Sequence, residues 1–124
     1  MSLTKRHVRA RVRYWQKVLG LKGWKIAVTF DKDTTDGSEA YCIASPEYRS
    51  ARLNFDLAHL TDENVDAYVI HEALHPLVWP LANIAQTLAG DDKGKQEWVR
   101  TVEESLVTDL EQIILRLSVG PADR

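Results

Sequence analysis

Only one cysteine, Cys42, occurs among 124 residues, so no internal disulfide can close and no zinc site can rest on a pair or quartet of cysteines. A lone thiol fits a reducing compartment, and the expectation is a cytoplasmic protein. Six glycines and four prolines are too few for a collagenous or low-complexity chain, while 44% hydrophobic and 27% charged residues describe an ordinary folded domain with a real core. That length supports one core, so 1–124 is read as a single domain and two independent catalytic modules are excluded. Clean apolar runs are also lacking. The longest weakly charged stretch, 67–90, contains His71, Glu72, His75, Pro76, Pro80, Asn83 and Gln86, which are expensive at membrane depth. It is read as buried helix, and no membrane partner is expected. No apolar segment follows the first basic residues, so no secretory signal is read.

Acid is absent from the first 30 residues, which carry eight bases: Lys5, Arg6, Arg9, Arg11, Arg13, Lys17, Lys22 and Lys25. The remaining eight bases and 18 acids leave the rest of the chain at −10. Such a segment is either a solvated helix face complementing an acidic body or a contact for nucleic acid or an acidic partner.

Val8, Val12, Trp15 and Leu19 recur at helical spacing, which predicts an amphipathic helix over Thr4–Leu19 ended by Gly20 and Gly23. Trp24, Ile26, Val28 and Phe30 then alternate with polar or small residues, the period of a strand with one buried face. Asp31–Gly37 reads as a polar turn. Two short strands, Ala40–Ser45 and Ser50–Phe55, flank Pro46–Arg49 and should form a hairpin in which Ala51, Leu53 and Phe55 share a face. Thr61 or Asp62 is the expected N-cap of a second helix. Pro76 and Pro80 should interrupt it, with an apolar segment resuming over Leu77–Leu88 and an exposed turn over Ala89–Gly94. A last helix runs from about Lys95 to Leu117, its apolar face drawn by Val99, Val102, Leu106, Leu110, Ile113 and Leu117 and its end by Gly120 and Pro121.

The second helix carries His71-Glu72-Ala73-Leu74-His75, an H-E-x-x-H pattern. Imidazoles four residues apart lie on one helical face and can bind one zinc ion, while the intervening glutamate projects beside the metal as a general base and acid. Burying two histidines and a glutamate among Val69, Ile70, Leu74 and Leu77 without a metal would be costly unless they were paired.

Zinc needs a third protein ligand if a position is to stay open for water. With Trp98 at zero and about 100° per residue, the drawn apolar face of the last helix centres near 85°, Glu103 falls at about 140° and Glu104 at about 240°. Glu103 thus leans to the core and is the first candidate, with Glu104, His59 and Asp92 behind it. Without a metal, Glu103 would be a boundary residue paired with a lysine or arginine.

A basic helix, strands with a Trp-x-Ile pattern, the H-E-x-x-H helix and a following acidic helix resemble the small zincin-type metallopeptidases of the gluzincin branch. The chain is similar in particular to the minimal single-domain metallopeptidases of phages and prophages, related in plan to the SprT-like and repressor-cleaving groups. That resemblance implies an α+β, zincin-like fold with a small, mostly antiparallel three-stranded sheet. It implies zinc on His71, His75 and Glu103, and Glu72 as general base. It also implies that Ser50–Phe55 borders the cleft as an edge for an extended peptide, with Tyr41, Tyr48 or Tyr68 near the oxyanion. Pro76 departs from the family's extended motif, and a kink or helix end is expected at His75. The expected activity is zinc-dependent peptide hydrolysis on a peptide or protein substrate. The alternatives are a catalytically silent metal-binding adaptor and a nucleic-acid-associated module using the N-terminal arginines.

Overall fold

Thr4 opens the first helix by accepting a hydrogen bond from the His7 N–H at 3.1 Å, and α1 runs over Lys5–Val18. It ends in a Schellman motif. Gly20, at φ 75°, takes the left-handed conformation, the Leu21 N–H bonds the Gln16 carbonyl, and the Gly20 N–H bonds that of Lys17. Val8, Val12 and Trp15 are buried, as their spacing predicts. The computed structural model describes residues 3–31 and 40–118; within them the architecture is α+β, with three helices and a small sheet. Of the expected polar turn, 32–37 lies outside the described residues, as do Gly120 and Pro121.

The strands are β1 (Lys25–Thr29), β2 (Ala40–Ser45) and β3 (Ser50–Phe55), ordered β1-β3-β2. The β2–β3 hairpin forms as expected, closed by a 3-10 turn at Pro46–Tyr48 and by Arg49 at φ 47°. Two expectations are corrected. The sheet is mixed, because β1 pairs with β3 in parallel, Ile26 opposite Ala51 and Val28 opposite Leu53. Residue alternation fixes which face is buried but is silent on strand direction. Ser50–Phe55 is also the central strand rather than an edge; Ala51, Leu53 and Phe55 are buried between two neighbours, and β2 takes the edge. Ala40, Cys42 and Ala44 pair with Phe55, Leu53 and Ala51, so these small side chains of β2 lie on the same face as the core residues.

Asn54, on the other face, is buried and fully engaged. Its amide oxygen accepts from Thr29 Oγ1 (2.7 Å) and the Asp31 N–H (3.0 Å), and its Nδ2 donates to the Asp31 carbonyl (2.8 Å). It thereby ties the end of β1 to the central strand.

Neither Thr61 nor Asp62 is the N-cap of the second helix; Asn64 holds that position, with Thr61 three residues ahead of it. Thr61 Oγ1 accepts from the Asn64 N–H and Asn64 Oδ1 accepts from the Thr61 N–H, a reciprocal box just ahead of α2 (Val65–Ala89). Asp66 in the first turn accepts from Arg11 Nε (2.7 Å) and Trp15 Nε1 (2.9 Å), which docks α1 onto α2. The expected interruption does not occur: α2 is one helix of 25 residues with both Pro76 and Pro80 inside it. An internal proline costs about 3 kcal/mol. Burial of Val69, Ile70, Ala73, Leu74 and Pro76 outweighs that local penalty. Among the described residues no helix is long and apolar enough to cross a membrane.

Asp92 caps the last helix, α3 (Lys93–Ser118), by accepting from the Lys95 N–H at 3.1 Å. This helix is rotated from the expected orientation. Val107 is fully buried and Leu110 and Ile114 pack on the core, whereas Val102, Leu106, Ile113 and Leu117 are exposed. On the wheel used above, the inward direction is therefore about 170° rather than 85°.

Candidate metal centre

That rotation places the site. With the inward direction near 170°, Glu103 and Glu104 straddle it, and Glu111, two turns on, falls beside Glu104 at about 220°. All three carboxylates thus reach the H-E-x-x-H face of α2, where His71 and His75 are partly buried with ring centroids 5.3 Å apart.

The contacts are specific by ring atom. His71 Nδ1 bonds Glu111 Oε1 at 2.9 Å and His75 Nδ1 bonds Glu103 Oε2 at 2.8 Å. The two Nε2 atoms both face Glu104, His71 Nε2 to Oε2 and His75 Nε2 to Oε1, each at 3.1 Å. One ligand atom from each of His71, His75 and Glu104 lies within 4.8 Å of the others, a group that could hold a metal ion. Glu103, the first sequence candidate, sits behind His75, and Glu104, a lesser candidate, is the carboxylate in the converging set.

The other candidates lie elsewhere. His59 is in the 3-10 turn Leu57–His59, with Nε2 3.4 Å from Asp56 Oδ2, and Asp92 is the helix cap. Of the tyrosines, Tyr41 lines the cleft, Tyr48 is exposed at the hairpin turn, and Tyr68 packs against the core. Sequence reasoning missed Glu111, Trp79 and Arg100. For Glu111 a signal existed: it stands seven residues after Glu104, two turns along the same face.

Glu72, Glu103 and Glu104 line a cleft of about 480 Å³ with both histidines, Tyr41, Cys42 and Trp79. Glu72 is almost wholly buried, and its carboxyl is pushed up to about 7 by burial, against the pull of His71 and His75 and with help from Glu104 and Glu111. Burial works against charge on His71, but its hydrogen bond to Glu111 and the charges of Glu72 and Glu104 outweigh that and raise its pKa above the usual histidine value. Burial, then Glu72 and Glu103, push the Cys42 thiol up to about 12, so in the metal-free chain it stays protonated at neutral pH.

Four carboxylates thus surround two imidazoles. The cleft's one arginine, Arg100, bonds Glu97 at 2.8 Å. The donor set fits a cation on two tests. It concentrates negative charge in a partly buried place, and it backs each imidazole with a carboxylate on Nδ1, which fixes the ring with Nε2 directed to the shared point.

No protein-family model, no curated protein and no solved structure matches this chain.

Proposed function

We propose that the chain is a zinc-dependent peptidase in which His71, His75 and Glu104 hold the ion and Glu72 serves as general base and acid. The observation that carries this reading is the ring-by-ring pairing: Nδ1 of each histidine on its own carboxylate, both Nε2 atoms on Glu104. Two imidazoles and one carboxylate are a set suited to zinc rather than to calcium or magnesium, which take oxygen ligands. When bound, zinc would polarise a carbonyl and make water a stronger nucleophile at neutral pH. Glu111 and Glu103 hold the two rings in orientation. Glu72, buried one residue after the first ligand and titrating near neutrality in the metal-free chain, is suited to accept a proton from water and return it to the leaving amine. Continuity of α2 through Pro76 keeps Glu72 and both histidines on one regular helix.

Ala40, Tyr41, Cys42 and Ala44 line the cleft, so the edge strand beside the site is β2. An extended peptide would pair along β2.

Glu72→Gln in the zinc-loaded protein separates this function from a silent metal-binding adaptor. Hydrolysis of a fluorogenic peptide library should fall to background with the metal content unchanged. An uncut library with zinc-loaded wild type would count against the peptidase and for the adaptor.

The nucleic-acid reading has less to rest on. Arg11 is engaged by Asp66 and lies over the Tyr14 ring, Arg9 and Lys5 lie over the Phe30 ring, and Trp15 is buried, which leaves Tyr14 as the one exposed aromatic of α1.

A further inference from the structure

The rotation of α3 that builds the metal centre turns the helix's apolar stripe outward, and neither the site nor the core uses it. Leu77, Leu81, Ile84 and Leu88 form a ridge on α2, and Trp98, Val102, Leu106 and Ile113 a ridge on α3; Leu88 is 81% exposed and Leu81 and Trp98 are each 69% exposed. Between them runs a groove of about 280 Å³, lined by Val78, Leu81 and Ala85 on one side and Trp98, Val102 and Leu106 on the other. Eight such side chains, on the order of 100 Å² each, reach roughly the 800 Å² per partner of a standard interface. Monomers rarely leave a patch of that size to solvent.

Charge identifies the occupant. Residues 76–90 contain no ionisable side chain. On α3 three charges fall in the stripe: Arg116 near its C-terminal end, and Lys95 and Asp109 seven residues before and after Val102, neither of these two paired within the described residues. Trp98 and Leu106 stand four before and four after Val102. The five positions from Lys95 to Asp109 lie within about 80° of the wheel. Their spacing of three, four, four and three keeps them on one continuous stripe along the helix. Turn a second α3 antiparallel about a twofold axis at Val102, and each Lys95 meets Asp109 of the second copy, each Trp98 meets Leu106, and Val102 meets itself. A partner of unrelated sequence gives no reason for opposite charges to be placed symmetrically about one residue, whereas in an isologous contact that placement forms the same ion pair twice.

We propose that this face is the interface of a symmetric dimer, in which α3 of each copy lies in the groove between α2 and α3 of the other. It uses none of the residues assigned to the metal centre as ligand or base.

Sedimentation equilibrium of the full chain across the micromolar range tests it. The expected result is a concentration-dependent species of twice the chain mass. Val102→Glu should give monomer with an unchanged circular dichroism spectrum, since Val102 is already half exposed. Lys95→Asp and Asp109→Lys, both at exposed positions, should each raise the dimer Kd about tenfold, and the double variant should restore it. Monomer at every concentration, a dimer that survives Val102→Glu, or a double variant no tighter than the singles would each overturn the proposal.

Discussion

Replacing Glu72 by glutamine should make the metal-free protein more stable at neutral and alkaline pH. Glu72 is buried and its carboxyl titrates at about 7 in the fold, against an ordinary value of 4.5. The folded chain therefore holds this proton more tightly than the unfolded chain does. Between pH 4.5 and 7 the native state binds more protons, so stability falls as pH rises through that window and stays low above it. A shift of that size corresponds to about 3 kcal/mol. Glutamine has nearly the same shape and no charge to bury, so the penalty should vanish, with a gain of about 10 °C in Tm at pH 8 for a domain of this length. Urea unfolding in the presence of a chelator, at pH 5 and pH 8, reads both effects. Wild type should lose stability between the two and Glu72→Gln should lose less, keeping only the part of the His71 contribution that comes from Glu111 and Glu104. His71 works in the same direction, since its raised pKa gives stability that is lost as pH climbs past its folded value. Equal stabilities of wild type and variant at pH 8 would refute the placement of Glu72 as a charge held in the protein at a cost.

Three further outcomes follow from named contacts. Glu111→Gln and Glu103→Gln remove the charge behind His71 and His75 without touching the Nε2 side, and each should weaken zinc affinity by about 10- to 100-fold in a competition assay with a chromophoric chelator. Asn54→Ala strips three hydrogen bonds from the end of β1 and should cost about 2 to 3 kcal/mol in urea unfolding, with no change in metal affinity. Asp66→Ala frees Arg11 and leaves the buried Trp15 indole N–H without its acceptor, so a loss of about 1 to 2 kcal/mol is expected by the same measurement.

Legibility from sequence followed the physics of each element. In α1 and β1 a polar face opposes an apolar one, and the period alone located both. Strand direction and order carry no such periodic mark, which is why the parallel β1–β3 pair and the central place of β3 emerged only in the structure. Pro76 and Pro80 carry a local cost that predicts a break, and tertiary burial of α2 overrides it. The error on α3 has a different origin. Its inward face holds Glu103, Glu104 and Glu111 around Val107, while its most apolar stripe faces outward. These carboxylates dilute the hydrophobic signal of the face that bears them, so the most apolar side of the helix is not the inward one. Glu103 nonetheless stood out for its position at the edge of that face, and it does reach the site, behind His75 rather than beside His71 and His75 at the shared point.

The central claim is a single metal ion on His71, His75 and Glu104. Its most direct test is the zinc content of the protein after reconstitution and dialysis, measured by elemental analysis beside His71→Ala, Glu104→Ala and Glu72→Gln. A single ion per chain in the wild type and in Glu72→Gln, lost in His71→Ala and sharply reduced in Glu104→Ala, is the predicted result. No zinc in the wild type, or full occupancy in Glu104→Ala, would contradict it.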